Sequence, residues 1–415
     1  MQPFTHRNGI LHAESVALPA IARRFGTPCF VYSRAAIESS YRAFEQALRG
    51  RDALICYSVK ANSNLAVLGL LARIGAGFDI VSGGELARVL AAGGEARKVL
   101  FSGVGKTAAE ITAALQAGIR CFNLESEEEL ERVASIAGRL RKRAPIAFRV
   151  NPDIDARTHP YISTGLRSSK FGVPYREAAR LFRVASRLRQ VEVVGIGCHI
   201  GSQMVDPAPL AAAVGRIVAL IEKLARLGIR LGHIDIGGGM GIRYRNERTI
   251  PLDRFLAPCL AALGARGETL ILDPGRSLVG NAGLLLTRIE YVKVSGRKRF
   301  LVVDAAMNDL VRPALYEAWH EVVAVRKKRG RALVYDIVGP ICESADFLAR
   351  ERKLSAAAGD LLAICSAGAY GMVLSSNYNS RPRAPEILVH RSKAQMVRRR
   401  ERVEDLYSGE SVPAW

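Results

Sequence analysis

The chain has 415 residues, of which 49% are hydrophobic and 24% charged, and its formal net charge is +21. This is an ordinary globular composition, with ample length for two domains and a large core. No segment is long and apolar enough to span a bilayer, and residues 1–9 carry no apolar signal region, so we expect neither a membrane protein nor a secreted one. Most of the seven cysteines stand in apolar runs (Cys56, Cys121, Cys198, Cys365), which is typical of buried thiols in a cytoplasmic protein.

The positive charge raises the question of a nucleic-acid partner. Basic residues are scattered over amphipathic helices such as Leu181 to Arg189, and the one tight cluster, Arg398 to Arg402, follows a strand-like run without interleaved aromatic residues. We therefore favour a solvated surface and expect no nucleic-acid partner. The positive electrostatic potential of such a surface would also favour anionic substrates or a phosphate-bearing cofactor.

In chain order, residues 1 to about 32 predict two short strands, Gly9 to His12 and Cys29 to Tyr32, around a helix from Leu18 to Phe25. Short apolar runs then alternate with helical patterns. We predict strands at Leu54–Ser58, Gly77–Val81, Val99–Ser102, Cys121–Leu124, Ile146–Val150, Val193–His199, His233–Ile236 and Thr269–Leu272. Helices are predicted at Leu65–Ile74, Glu85–Ala92, Ala108–Ala117, Glu127–Leu140, Arg176–Leu188 and Leu210–Leu227. This alternation predicts an α/β fold, a (β/α)8 barrel, with an open doubly wound sheet as the alternative.

The residues that end these runs decide between the two folds. Polar or glycine residues stand at or just past the C-terminal end of every run: Lys60, Asp79, Ser102, Glu125, Arg149 with Asn151, His199, the glycines from Gly237, and Asp273. In a barrel these ends converge on one mouth, whereas in an open sheet they would be strung along an edge. We therefore predict a barrel whose chemistry lies at this mouth.

After Asp273 the alternation ends. Short strands are predicted at Leu284–Val294, Arg299–Val303, Ala332–Val338, Leu361–Ser366 and Glu386–His390. They predict a second, all-β domain, a sandwich or small barrel that the N-terminal strands could complete. The predicted domains are the barrel over residues 33–280 and the β domain over residues 1–32 and 281–415.

Lys60 is the first chemical candidate, because an amine at the edge of a core can attack a carbonyl. Taken alone it reads more simply as a solvated lysine. The glycines Gly237 to Gly241, near His199 to Ser202 and Ala369 to Gly371 in the predicted site, suit a phosphate cradle, because their backbone N–H groups are unobstructed.

His199 could stack on a planar ring or shuttle a proton. Asp273 could keep a heteroaromatic nitrogen protonated, although Asp273-Pro274-Gly275 is also a good turn. A lysine, a phosphate cradle, a ring-stacking histidine and an acid together predict pyridoxal 5′-phosphate (PLP). No His, Cys and carboxylate spacing suits a metal site.

The motifs that carry these residues resemble one family. They are Tyr57–Asn62, Phe78–Leu86, His159–Gly165 with Ser169–Gly172, Cys198–Gln203, Asp235–Gly239, Asp304–Tyr316, Cys342–Ser344 and Ala367–Gly371. Nearly end to end, the chain resembles the diaminopimelate decarboxylases, which belong to the alanine-racemase-like, fold type III PLP enzymes. The resemblance implies PLP-dependent decarboxylation of meso-2,6-diaminopimelate to L-lysine and CO2, the last step of lysine biosynthesis.

The resemblance also implies roles for single residues. Lys60 would hold PLP through its amine, His199 would stack on the ring, and Asp273 would face the pyridine nitrogen. The other predicted cofactor-binding residues are Asp79, Ser202, Gly238, Gly239 and Tyr370. The residues that would grip the substrate are Arg276, Arg312, Tyr316, Glu343 and Tyr370. Cys342 and Glu343 would come from the partner subunit of a homodimer with shared active sites, and Cys342 or Lys60 would protonate Cα.

The chain departs from the family's pattern at one position, and two alternative functions remain open. The family usually has glutamate where this chain has Asp273, and we expect the shorter side chain to affect efficiency more than reaction type. A decarboxylase of ornithine, arginine or carboxynorspermidine is the alternative, but Arg276 and Arg312 favour a substrate with two acidic ends. A non-enzymatic PLP-binding regulator would tend to lack the β domain and the pair Cys342 and Glu343.

Overall fold

The computed structural model describes residues 3–155 and 170–415. The chain divides into two compact units. We call the first the β unit (Met1–Ser39, Arg243–Glu247 and Val279–Trp415) and the second the barrel unit (Ser40–Ile242 and Arg248–Leu278). The predicted motif His159–Gly165 and Ser169 lie outside the described residues.

The β unit begins with short strands around one helix. Its first elements are β1 Phe4–Arg7, β2 Ile10–Ala13, β3 Val16–Ala17, α1 Leu18–Phe25 and β4 Cys29–Ser33. Strands β1, β2 and β3 form a small antiparallel sheet. Helix α1 packs its apolar face, with Leu18 and Ile21 buried, into a core that includes Cys29 and Val31 of β4.

A parallel sheet forms the centre of the barrel unit. Its strands are β5 Ala53–Ser58, β6 Gly77–Ile80, β7 Val99–Phe101, β8 Cys121–Leu124, β9 Ala144–Asn151, β10 Val173–Pro174, β11 Val191–Gly197, β12 His233–Asp235 and β13 Thr269–Leu272. The sheet closes because β13 pairs with β5 and β8 pairs with β9, while β10 adds to the outside of β9. The predicted (β/α)8 barrel is confirmed, and the pairing of β13 with β5 excludes an open sheet.

Helices follow the barrel strands. After α2 Arg34–Ala47, which leads into the barrel, they are α3 Leu65–Arg73, α4 Gly83–Ala91, α5 Ala108–Ala117, α6 Glu127–Arg139, α7 Tyr175–Ser186, α8 Ala208–Arg226 and α9 Leu252–Leu263. Asn64, Ser82, Thr107 and Ser126 cap four of these helices by accepting a hydrogen bond from a first-turn backbone N–H. Sequence analysis missed α2 and α9, and α9 carries Pro258 within its span.

The rest of the β unit is mostly strands. They are β14 Gly283–Ser295, β15 Lys298–Val303, β16 Val322–Ala324, β17 Leu333–Val338, β18 Phe347–Leu354, β19 Leu361–Ile364, β20 Glu386–His390 and β21 Lys393–Arg398, with short helices α10 Arg276–Val279, α11 Arg312–Tyr316 and α12 Val403–Tyr407. The strand order is β18-β17-β15-β14-β4-β20-β21, and β19 branches from β14 and pairs in turn with β16. The second, mostly-β domain is therefore confirmed, as one branched mixed sheet. Strands β16 and β18 were not predicted, whereas β21 corresponds to the strand-like run that precedes the basic cluster.

Cysteine burial follows the apolar pattern. Cys56, Cys121 and Cys198 are buried free thiols, as predicted, whereas Cys365 is half-buried and Cys342 is exposed. Burial raises the pKa of the Cys56 and Cys198 thiols well above its ordinary value, so both stay protonated. Among the described residues, no helix is both long and apolar enough to cross a membrane.

The predicted basic cluster, Arg398 to Arg402, is held by contacts with other residues of the β unit. Arg398 pairs with Glu401 at 3.1 Å, and Arg399 pairs with Asp405 at 2.7 Å. Arg400 donates a hydrogen bond to the Pro28 carbonyl oxygen at 2.8 Å. Three of its arginines therefore have partners within the chain.

Candidate active site

Lys60 lies in a short helical turn, Val59–Ala61, that directly follows β5. Its Nζ is 3.8 Å from Asp79 Oδ2, and its side chain is 43% exposed whereas that of Asp79 is 1% exposed. The Tyr57 hydroxyl donates to the Asn62 carbonyl oxygen at 2.9 Å and so braces the turn. The lysine amine is thus both accessible and paired with a buried carboxylate.

Asp79, at the end of β6, is held by neighbouring hydroxyl groups. Ser102 Oγ donates to Asp79 Oδ1 at 2.5 Å and accepts from Asn123 Nδ2 at 3.0 Å. Burial raises the pKa of the Asp79 carboxyl, and the Lys60 ammonium opposes that rise by favouring the charged form. This hydrogen-bond chain runs across the ends of β6, β7 and β8 and fixes the partner of Lys60.

His199 and Asp273 meet at the same mouth, and Asp273 follows β13, the neighbour of the strand that leads to Lys60. His199 Nδ1 is 3.6 Å from Asp273 Oδ1, and the Gly238 N–H points to the same nitrogen at 3.4 Å. Ser58 Oγ donates to the Asp273 carbonyl oxygen at 2.9 Å, which ties β13 to β5. Asp273 Oδ1 is buried, and within the described parts of the chain it has no hydrogen-bond partner. A buried carboxylate oxygen without a donor is unfavourable by itself and suits a bound group that brings one.

The glycines after β12 pack too closely for any side chain. A Cβ on Gly238 would lie 2.5 Å from the Asp273 carbonyl oxygen, and one on Gly239, whose φ is +82°, would lie 2.1 Å from the Gly201 carbonyl oxygen. Glycine is therefore required at both positions. Ser202 stands beside this loop, and the buried Arg276 donates to its hydroxyl from Nη2 at 3.2 Å. Backbone, hydroxyl and guanidinium together form a cradle that fits a phosphate.

Sequence analysis did not assign a role to Asp235, which ends β12. Its side chain is buried, and Oδ1 accepts from the Gly237 N–H at 2.8 Å. Burial first, and then the nearby Asp273 carboxylate, raise the pKa of Asp235 well above its usual value. Its position directly before the glycines could have indicated this role, because an acid there can accept a hydrogen bond from the first backbone N–H of the loop.

The predicted strand-end residues Glu125 and Arg149 are positioning groups. Glu125 accepts from the Gly172 N–H at 2.6 Å and from Arg149 Nη1 at 3.3 Å. Arg149 Nη2 also donates to the His199 carbonyl oxygen at 3.4 Å. They fix the backbone that carries His199.

The β unit carries the remaining predicted residues. Arg312 begins α11, Tyr316 ends it, and Tyr370 is half-buried with a positive φ of 56°. Cys342 and Glu343 are exposed on one loop, where the Cys342 N–H donates to Asn379 Oδ1 at 2.9 Å. The roles predicted for these side chains stay predictions.

Comparisons with known proteins agree with this arrangement. Residues 34–280 match the family of the pyridoxal-dependent decarboxylase, pyridoxal binding domain. Diaminopimelate decarboxylase of Pseudomonas aeruginosa is 55% identical over 412 residues, which cover 99% of each chain. The chain belongs to the diaminopimelate decarboxylase family. The family resemblance inferred from the motifs is confirmed, and the chain is a PLP-dependent lyase.

Two solved structures of the diaminopimelate decarboxylase family extend the match to the fold. The enzyme from Helicobacter pylori, complexed with L-lysine, is 42% identical with a TM-score of 0.92 and covers 95% of this chain and 99% of its own. The enzyme from M. jannaschii, in co-complex with L-lysine, is 36% identical with a TM-score of 0.94, and the match covers 99% of this chain and 98% of that one.

The barrel mouth fits PLP on three observations. Lys60 offers an accessible amine, Asp273 Oδ1 is a buried acceptor that lacks a donor, and the glycine loop with Ser202 forms an anion cradle. These are the groups that an aldehyde, a protonated pyridine and a phosphate require.

Proposed function

We propose that the chain removes one carboxyl group from meso-2,6-diaminopimelate and releases L-lysine and CO2. The observation that carries the proposal is the pairing of an accessible Lys60 amine with buried Asp79 in a barrel mouth that also holds the Asp273 carboxylate and the glycine loop. The names of the relatives, and the L-lysine in two of the similar structures, support the choice of substrate.

In this proposal the barrel residues hold the cofactor. Lys60 would bind PLP covalently, His199 would stack on its ring, and the Asp273 carboxylate would accept a hydrogen bond from the pyridine nitrogen. The residues proposed to bind the phosphate are Ser202, Gly238, Gly239 and Tyr370. When bound, PLP supplies an electron-accepting ring for the pair of electrons that the breaking C–CO2 bond leaves behind.

The substrate-binding residues set which carboxyl group leaves. The D-centre would face the cofactor, and the distal carboxylate and amine would be held by Arg276, Arg312, Tyr316, Tyr370 and Glu343. A guanidinium fork matches a carboxylate in two parallel hydrogen bonds, so an arginine selects a substrate with a second acidic end. After CO2 leaves, Cys342 Sγ or Lys60 Nζ donates a proton to Cα.

We also propose a homodimer in which Cys342 and Glu343 serve the partner's active site. Both side chains are exposed in the single chain, yet their loop is anchored, because the buried Asp346 carboxylate accepts from the Met307 N–H at 2.7 Å and from the Ile341 N–H at 2.8 Å. A rigid, exposed tip suits a contact with a second subunit.

Mixing two inactive variants tests the shared site. Lys60→Ala and Cys342→Ala subunits, combined in equal amounts and allowed to exchange, should regain about a quarter of wild-type activity, because half of the dimers are mixed and each has one intact site. Each variant alone is the control. No recovery, with exchange verified by native mass spectrometry, would contradict the shared site.

A cytoplasmic location is part of the proposal. All seven cysteines are free, which is typical of a reducing compartment. Fractionation of cells that express a tagged chain should recover it with cytoplasmic markers, and recovery in the periplasm or membrane fraction would contradict this.

The substrate is tested by CO2 release from PLP-loaded enzyme with meso-diaminopimelate, ornithine and arginine in turn. We expect kcat/KM for diaminopimelate to exceed the other two by roughly a hundredfold or more, because substrates without a distal carboxylate lack the group that a guanidinium fork matches in two parallel hydrogen bonds. Equal or higher activity on ornithine or arginine would support the alternative decarboxylase instead.

A further inference from the structure

Arg312 is the most enclosed of the predicted substrate-binding residues of the β unit. Its side chain lies at the start of α11, and the residue is 7% exposed. Arg312 Nη1 is 2.9 Å from Nε2 of His320, which is itself 0% exposed. Sequence analysis gave His320 no role, so its contact with a predicted ligand-binding guanidinium calls for an explanation.

The hydrogen-bond chemistry fixes the state of the His320 ring. A guanidinium has only donors, so Nε2 must accept from Arg312 and the ring hydrogen must lie on Nδ1. Nδ1 is 2.8 Å from the Cys365 carbonyl oxygen, to which it donates. The Cys365 N–H in turn donates to the Glu321 carbonyl oxygen at 2.8 Å. The imidazole is thus oriented by backbone on one side and presents a single acceptor to Arg312 on the other.

Tyr244 supports the same guanidinium from a different segment of the β unit. Its ring centroid is 4.6 Å from Arg312 Cζ and 5.4 Å from the His320 ring, at an interplanar angle of 80°. Glu247 closes the Tyr244 turn by accepting from the backbone N–H groups of Tyr244 at 2.9 Å and Arg245 at 2.8 Å. An aromatic face and an imidazole edge therefore constrain both the tilt and the rotation of the Arg312 fork.

We propose that His320 and Tyr244 are positioning residues that hold the Arg312 guanidinium ready for the carboxylate that the substrate keeps. The ligand assignment rests on the proposed function. The geometry explains the benefit: an arginine that is ordered before binding loses less side-chain freedom when the carboxylate arrives. L-lysine, the product, retains the same carboxylate, so its binding reports on Arg312 without any turnover.

Two amide replacements separate the contacts of His320. In His320→Gln the amide oxygen can take the place of Nε2 and accept from Arg312, whereas in His320→Asn the amide nitrogen can take the place of Nδ1 and donate to Cys365. The Asn variant therefore keeps the backbone contact and loses the arginine contact. Tyr244→Phe keeps the aromatic face, and Tyr244→Leu removes it.

The measurements are L-lysine binding to PLP-loaded enzyme by calorimetry, and KM and kcat for meso-diaminopimelate. We expect His320→Asn to weaken L-lysine binding and raise KM by roughly tenfold or more, with kcat nearly unchanged, because one hydrogen bond to a charged group is lost. His320→Gln should restore most of the affinity, and Tyr244→Leu should weaken binding more than Tyr244→Phe.

The outcomes distinguish this inference from the proposed function. If the wild-type enzyme releases no CO2 from diaminopimelate, the proposed function fails. If it does, and the Asn and Gln variants bind L-lysine equally well or lose affinity equally, the positioning role is overturned. Visible absorbance of bound PLP and the thermal midpoint are compared in every variant, and a loss of affinity that merely follows a lower midpoint also overturns it.

Discussion

The barrel mouth and the surroundings of Arg312 hold their key charges in opposite ways. Lys60 is 43% exposed in its side chain and shares a mouth with a buried carboxylate oxygen that lacks a donor. Arg312 is 7% exposed and lies against an imidazole and an aromatic ring. The first region leaves hydrogen-bonding capacity open, whereas the second fixes one guanidinium by contacts already made.

This difference matches the work proposed for each region. A residue that forms and breaks a covalent bond has to be reached by its partner, so its amine stays accessible. A residue that selects a ligand gains affinity by being ordered beforehand, so it is enclosed. Reactive and selective roles should therefore be separable by mutation, in turnover for the barrel mouth and in affinity for Arg312.

The largest expected effect comes from Lys60→Ala. Without the amine, covalent attachment of PLP is impossible, so the visible absorbance of the bound cofactor and nearly all turnover should disappear. Lys223→Ala, at an exposed position of α8, is the matched control and should behave as wild type. Near-normal activity of Lys60→Ala would contradict the proposal that Lys60 binds PLP covalently.

Asp273→Asn should come next. Losing the charge that is proposed to face the pyridine nitrogen should lower kcat by roughly a hundredfold or more, because the developing negative charge would then be less stabilised. Asp273→Glu, which restores the residue usual in the family, should keep or raise kcat. An Asn variant as fast as wild type, with equal PLP loading, would show that Asp273 does not act on the cofactor.

Arg312→Lys tests the selective region. Lysine keeps the charge but not the planar fork, so KM for diaminopimelate should rise by roughly ten- to a hundredfold while kcat changes little. Steady-state kinetics at fixed PLP concentration measure both values. A fall in kcat at unchanged KM would assign Arg312 to the chemical step instead.

A last effect concerns stability and not activity, at the other end of the barrel, where His233 begins β12. Burial, with a smaller contribution from the Arg120 charge, lowers the pKa of His233 from 6.5 to about 4. The unfolded chain therefore takes up this proton near pH 6.5 and the folded chain only near pH 4, so the stability contributed by neutral His233 is lost as pH falls across that window. The shift corresponds to about 3 kcal/mol at most.

His233→Gln removes this proton uptake. Its thermal midpoint should fall less between pH 7 and pH 5 than that of the wild type, and scanning calorimetry at several pH values measures the difference. Activity at pH 8 is the check that the variant is folded. Parallel declines of the two proteins would show that His233 does not titrate in this way.

Much of the barrel mouth could be predicted from the sequence, because a polar residue at the end of an apolar run is visible without any structure. Lys60, Asp79, His199 and Asp273 all belong to this class, and the barrel brings them to one end. Helix α9 was missed because Pro258 interrupts its pattern. The alternation of strands and helices therefore predicted the fold, and the polar residues at the strand ends predicted the site.

The surroundings of Arg312 could not be predicted in this way. Tyr244 follows the glycine loop of the barrel strands, and His320 stands in an irregular stretch between α11 and β16, so no periodicity marks either of them. The contacts of Tyr244 with Arg312 and of His320 with Cys365 join segments that are distant in the chain, and such pairs become visible only in the fold. Arg312 itself was found through its motif, not through any pattern of burial.

The most direct test of the central claim is to locate the cofactor on the chain. Enzyme loaded with PLP is reduced with borohydride, digested, and analysed by mass spectrometry. We expect a pyridoxyl group on the peptide that contains Lys60, and none on any peptide of Lys60→Ala. Attachment at another lysine, or none to the wild-type enzyme, would contradict it.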